Sequence, residues 1–281
     1  TPNRQEKPVT DFDSGTDQIL VALKDRVATI TLNRPEARNA LSPELSGGLK
    51  RTIAWAAAET AVGAILLTGA GEAFCSGGDV KAMGKRNDSA RETPTAEAQF
   101  QELRERHHAI AGALRAMRKP SVAALPGPAA GAGLALALAC DLRIAADTAF
   151  LTTGYANIGL SGDYGIAWLL TRVIGPGRAR QLMLTSERVD AAAALQMGLV
   201  NKVVAREALN SAALEMAGDL ARGPSVAYAY IKDNLDEALT IDHATAIDRE
   251  ADRLLKSRTT SDHREAVQAF AEKRPPRFSG H

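Results

Sequence analysis

The run "NIGLSGDYG", residues 157–165, sets a single carboxylate, Asp163, among glycines and small residues. An aspartate there either bonds its own backbone as a turn residue or moves a proton. With Leu160, Tyr164 and Ile166 beside it, an apolar pocket would raise its pKa by loss of water and make it a stronger base. Two further segments, "ILLTGAGEAFCSGGDVKAM" and "SVAALPGPAAGAGLALALACD", each join an apolar strand to a glycine-rich exit. Glycine lets a backbone turn until its N–H groups face a cavity, and a helix that starts there adds its positive end. Two such N–H groups converging on one point form an oxyanion hole, while each turn alone also serves to pack a helix on a strand. Neither segment carries Gly-Lys-Ser/Thr or a full GxGxxG, which disfavours phosphate cradling.

The elements that must position these groups alternate. "ILVALKDRVATITLN" predicts a hairpin turning around Lys24 and Asp25. "SPELSGGLKRTIAWAAAE" begins as a Ser-Pro helix start at Ser42 and Pro43, and "AVGAILLTG" is a buried strand. A long amphipathic helix is expected from Thr95 to Arg118, followed by a strand over "SVAAL", an apolar helix after the glycines, and strands over "LRIAA" and "AFLTT". This alternation predicts an α/β fold with helix-covered sheets. Beyond Val204 the strand patterns stop and four helical patterns follow. Residues 84–99 are polar, carry both charge signs and predict a surface loop with the option of a substrate lid.

Lys and Arg number 34 against 33 Asp and Glu, and aromatic residues make up 4%, so neither a basic footprint nor a stacking surface for nucleic acid is visible. No run is long and apolar enough to span a bilayer, and residues 1–17 form a polar tail, which together predict a cytoplasmic protein that does not engage membranes. Cys75 and Cys140 are expected as reduced, buried residues. Five scattered histidines without an HExxH predict no metal site.

Taken in order, "LNRPEARNAL", "AFCSGGDVKAM", "KPSVAALPGPAAGAG", "ACDLRIAAD", "LLTRVIGPGRARQLMLT" and "AAALQMGLVNKVV" resemble the crotonase, or enoyl-CoA hydratase/isomerase, superfamily over most of the chain. The resemblance implies a crotonase-like spiral of ββα turns over 18–204, a C-terminal helical trimerisation region over 205–281 and a flexible tail over 1–17. It implies a homotrimer or dimer of trimers, an acyl-CoA substrate, and no cofactor other than the coenzyme A of the thioester itself. Carried over by position, Gly78 and Ala132 supply the two oxyanion amides, although many relatives have three consecutive glycines where this chain reads Gly131, Ala132, Gly133. Arg38, Ala40, Asp79, Val80, Lys81, Tyr155, Phe270 and Lys273 are carried over as CoA or substrate contacts. Hydratases of the family use two glutamates, and here those positions hold Ala135 and Tyr155. Asp163 matches the aspartate that some isomerases use as a proton shuttle and 4-chlorobenzoyl-CoA dehalogenase uses as a nucleophile, and His108 matches a histidine of that dehalogenase. The resemblance thus implies an acyl-CoA enzyme that stabilises a thioester enolate, with Asp163 as acid/base and double-bond isomerisation as its reaction. Dehalogenase-like hydrolysis and acyl-CoA binding without turnover are the alternatives.

Overall fold

The computed structural model describes residues 12–79 and 95–280. The first hairpin pairs β1 (Ile19–Lys24) with β2 (Val27–Leu32) antiparallel, and Asp25 and Arg26 both take left-handed backbone angles at its turn. That two-residue geometry matches the twist of the strands it joins. β3 (Ala64–Gly69), β4 (Ser121–Leu125), β6 (Leu142–Ala146) and β9 (Lys202–Val204) add parallel to it, giving the order β1-β2-β3-β4-β6-β9. A smaller sheet holds β5 (Ala129–Ala130), β7 (Phe150–Thr152) and β8 (Val189–Asp190). The chain passes from the large sheet at β4 to the small one at β5, returns at β6 and crosses again at β7. A bridge between Cys75 and Ala129 gives the preceding turn the same form.

Helices close these turns. α1 (Pro43–Ala58) starts at Ser42, whose hydroxyl accepts from the Leu45 amide at 3.0 Å, and buries Leu45, Leu49 and Ile53 on the hairpin side. Residues 80–94, which include most of the expected loop, lie outside the described residues. The single long helix expected next is divided into α2 (Ala96–His107), a π-helical turn (His108–Gly112) and α3 (Ala113–Ala116). α2 buries none of its residues, whereas the π turn sinks Ile110 and Ala111 against α1 and the next helix. An extra residue in one turn re-aims the helix face without breaking its hydrogen bonds.

α4 (Ala132–Ala139) is buried along its whole length and packs on α5 (Ile166–Thr185), which kinks at Gly175 ahead of Pro176. α6 (Ala191–Met197) leads to β9, and α7 (Leu209–Ala221) covers the large sheet across β2, β3, β4 and β6. α8 (Ser225–Glu237), α9 (His243–Arg258) and α10 (Ser261–Ala271) bury only Asp262 and Ala269. They expose a series of large apolar side chains, Ile231, Leu235, Ile247, Leu254 and Leu255 among them. Of the expected tail, residues 12–17 are packed: the Phe12 ring stacks on Trp55 at 4.5 Å, and Arg51 donates to the Ser14 carbonyl at 2.8 Å. Both cysteines are free and buried, as expected.

One buried cation fixes the helix that matters most for the site. Arg143, on β6, donates from Nε to the Leu199 carbonyl at 2.7 Å and from Nη1 to the Cys140 carbonyl at 2.7 Å, with Ala137 at 3.4 Å. These contacts satisfy carbonyls at the C-terminal end of α4 and place positive charge at its negative pole. Arg143→Met is expected to lower the unfolding free energy by about 3 kcal/mol, because two or more buried acceptors lose their donor. A urea titration reads this directly, and a change below about 1 kcal/mol would remove Arg143 from the account of α4.

Candidate active site

The two glycine exits meet at the N-terminus of α4. The Leu41 amide donates to the Gly77 carbonyl at 2.8 Å, and residues 41 and 78 stand opposite each other in a parallel bridge, so the Gly78 amide faces away from Leu41. Gly131, at φ +53° and ψ −124°, turns the chain into α4 while its own amide donates to the Thr152 carbonyl at 3.1 Å. Ala132 is the first helical residue, and its N–H has no intrahelical acceptor. A Cβ placed on Gly77 would lie 2.9 Å from the Ala130 carbonyl and 3.5 Å from the Ala132 nitrogen, so the segments bearing the two amides are in contact. A Cβ on Gly133 would lie 2.2 Å from the Cys75 carbonyl. Gly131 is thus held by its angles and Gly133 by close approach, whereas the Ala132 methyl is accommodated. The replacement of the middle glycine leaves its backbone donor in place.

The 70–78 segment is pinned by a residue that the pattern of charged and glycine positions does not reveal. Asn39 is fully buried; its amide nitrogen donates to the Ala70 and Ala73 carbonyls at 3.0 and 2.8 Å, and its oxygen accepts from the Arg34 amide at 2.8 Å. Arg38 is exposed, with a carbonyl that accepts from Ser76, and Ala40 is buried beside it. Asp79 forms an ion pair with Arg34 at 2.8 Å, so its carboxylate braces this loop. Val80 and Lys81 lie outside the described residues.

On the other side stands Asp163, half-buried, with the Tyr155 hydroxyl donating to its Oδ1. Burial raises the Asp163 pKa above the ordinary carboxylate value, and the Tyr155 hydrogen bond opposes that rise in part. Burial also pushes the Tyr155 phenol upward, with the Asp163 charge adding to the effect. A Cβ on Gly131 would lie 3.7 Å from Cζ of Tyr155, which sets the Tyr155–Asp163 pair against the turn that opens α4. The carboxylate loop is strained: Tyr164 takes φ +49° between Gly162 and Gly165, both also at positive φ. Burial pushes the Cys75 thiol up to about 12, with the Asp163 charge adding to the rise, so it stays neutral.

The structure therefore brings Gly78, Ala132, Tyr155 and Asp163 together. His108 is exposed, whereas His107 is half-buried with its ring 4.1 Å from that of Tyr164. A π turn begins at residue 108, which a uniform helical period does not anticipate. Phe270 and Lys273 are exposed on and just beyond α10, a helix that packs on α9. Among the described residues no cluster of His, Cys, Asp or Glu could hold a metal ion, and no helix is long and apolar enough to cross a membrane.

Comparison with known proteins matches this architecture. The family model described as enoyl-CoA hydratase/isomerase matches residues 22–281. Over 263 residues the chain is 34% identical to the 1,2-epoxyphenylacetyl-CoA isomerase of Escherichia coli strain K12, covering 93% of this chain and 98% of that protein. It is 31% identical over 264 residues to the short-chain-enoyl-CoA hydratase of Clostridium acetobutylicum, covering 92% and 96%. The crystal structure of an enoyl-CoA hydratase from Polaromonas sp. JS666 superimposes with a TM-score of 0.85 at 33% identity, over 93% of this chain and 99% of that one. With its alternating two-sheet turns and paired glycine exits, the chain belongs to the enoyl-CoA hydratase/isomerase family, has the crotonase fold, and is an enzyme that acts on acyl-CoA thioesters.

Proposed function

We propose that this enzyme moves a carbon–carbon double bond along an acyl-CoA thioester, with Asp163 as the base that takes and returns the proton. The observation that carries the reading is the Tyr155–Asp163 pair set against the turn into α4, where Ala135 and Tyr155 stand in place of two glutamates. The thioester oxygen accepts from the Gly78 and Ala132 amides. Each donor of this kind contributes about 3 kcal/mol of transition-state stabilisation, because it is aimed at the oxygen where charge develops. Delocalisation onto that oxygen acidifies the α- and γ-protons, and the partly desolvated Asp163 removes one and returns it at the other carbon. The Tyr155 hydroxyl holds the carboxylate oriented and in its ionised form. This chemistry uses two amides and one base, and requires no cofactor beyond the coenzyme A of the substrate. A relative that bears an isomerase's name is consistent with it.

In the same proposal Lys81 contacts the CoA portion, Arg38 and Ala40 frame its nucleotide end, and Phe270 and Lys273 belong to the C-terminal helix that closes over CoA. The exposed apolar side chains of residues 205–281 support a homotrimer or dimer of trimers, and we assign the enzyme to the cytoplasm.

Incubation in D₂O separates the chemistries. A short 3-enoyl-CoA is expected to convert to the 2-enoyl thioester, with deuterium in the product only to the extent that the Asp163 carboxyl exchanges with solvent before it returns the proton, whereas crotonyl-CoA gains no water; rapid hydration of crotonyl-CoA would overturn the isomerase reading. Asp163→Asn is expected to lower kcat at least about 100-fold with acyl-CoA affinity unchanged, and a fully active variant would remove the base assignment. Gly133→Ala, which forces α4 away from Cys75, is expected to lower kcat/KM at least about ten-fold, while Ala132→Gly stays within about three-fold of the parent.

A further inference from the structure

We infer that His107 is a positioning residue for the Asp163 carboxylate, set in place by the π turn that follows it. This rests on the reading of Asp163 as the base and adds a residue to it. His107 ends α2, and its Nε2 is buried with no hydrogen-bond partner among the described residues. Its ring packs on Tyr164, the residue next to Asp163 and one held at positive φ. Leaving a ring nitrogen buried and unpaired is unfavourable, and a phenylalanine would fill the same space against Tyr164 without that cost. Packing alone therefore does not account for an imidazole here. The backbone is also altered at this point: no residue of α2 is fully buried, Arg106 and His107 at its end are half-buried, and the π turn begins at His108, directly after the residue whose ring meets Tyr164. π turns inserted in α-helices are frequent at functional positions.

Among the described residues, the charged and titratable groups that act on the imidazole or on Asp163 are these: Arg106 and His108 flank the imidazole on its own chain segment, Tyr164 packs on its ring, Asp163 adjoins Tyr164, and Tyr155 bonds Asp163, whose charge also acts on Cys75. Tyr155, Tyr164 and Cys75 are all raised by burial, so they stay neutral near pH 7. Asp163 is the one anion in that set. Burial keeps the imidazole neutral down to a lower pH than an exposed histidine, while Asp163 itself gains a proton more readily than an exposed carboxylate. Arg106 and the Tyr155 hydroxyl favour the ionised Asp163 at every pH, and a proton taken up by His107 as pH falls adds a further positive charge near it, against the effect of burial. The two groups titrate as a pair, and the imidazole extends the range over which the base is usable.

The test titrates the Asp163 carboxyl by carbon-detected NMR in the full chain, a readout that needs no turnover. Against the parent, His107→Phe and His107→Gln are expected to raise the Asp163 midpoint by about 0.5 to 1 in pH, because each removes the cation. The acid limb of kcat/KM with a 3-enoyl-CoA is expected to move up by the same amount, with KM within about two-fold of the parent. A purely structural histidine would leave the midpoint and the limb in place, and an unchanged midpoint in His107→Gln overturns the inference even where His107→Phe fails to fold. Should Asp163→Asn prove fully active, the base assignment fails while the titration still reports whether His107 and Asp163 are coupled.

Discussion

Everything in the site depends on how closely the start of α4 approaches the segment that ends at Gly78. The absence of a side chain at Gly133 lets that helix rest on the Cys75 carbonyl, and the absence of one at Gly77 brings the neighbouring segment against Ala132. A displacement of either piece by an ångström would separate the two amides that the proposed reaction brings to one oxygen. The surrounding structure holds the approach from three directions. Asn39 draws the 70–73 backbone inward, the Thr152 carbonyl accepts from the Gly131 amide, and Arg143 grips the far end of α4. Each of these is a buried polar contact whose loss would leave groups unpaired, so the geometry is specified by the cost of every alternative.

Beside that frame the electrostatics limit how many carboxylates the site can hold. Asp163 is already penalised by burial, and its closest partner is a phenol that donates a hydrogen bond. A glutamate at position 155 would set a second anion next to the first, and two such groups sharing a small volume do not both ionise. Position 135 is equally informative: Ala135 has no exposed surface, and the core around it is closed over a methyl group. A carboxylate there would be desolvated without a partner unless the neighbouring side chains moved. The replacement of both glutamates is therefore matched by the packing and by the hydrogen bonding around Asp163.

Much of this was legible in the sequence because the signals are local. The hairpin, the capped start of α1 at Ser42, the buried parallel strands and the four closing helices each follow from periodicity and capping residues over short windows. The glycine exits also announced themselves, since left-handed angles and close approach both select glycine. What escaped depends on contacts distant in sequence. Asn39 sits inside a polar stretch that reads as loop, and its role appears only when residues 70–73 fold over it. The contact of His107 with Tyr164 comes just before a π turn whose Ile110 and Ala111 are buried against other helices, which no local pattern announces. Asp79 looked available for a ligand until Arg34, 45 positions away, met it.

The same contacts bear on which chemistry a single base can support. Adding water across a double bond requires the water to be aligned and deprotonated on one side while a proton is delivered to the neighbouring carbon. Two groups divide that work when two carboxylates are present. Here the hydroxyl of Tyr155 is committed to Asp163, the Cys75 thiol is neutral, and Ala135 offers no proton. A proton shift within one substrate avoids the problem, because the group that accepts the proton is also the group that returns it. In the proposed reaction the Gly78 and Ala132 amides stabilise the charge between the two events, and the strained loop at Gly162 to Gly165 keeps the carboxylate from relaxing into an ordinary turn. The turn geometry and the base at Asp163 are thus two aspects of one structure: the left-handed angles aim the side chain, and the fold around it pays their cost.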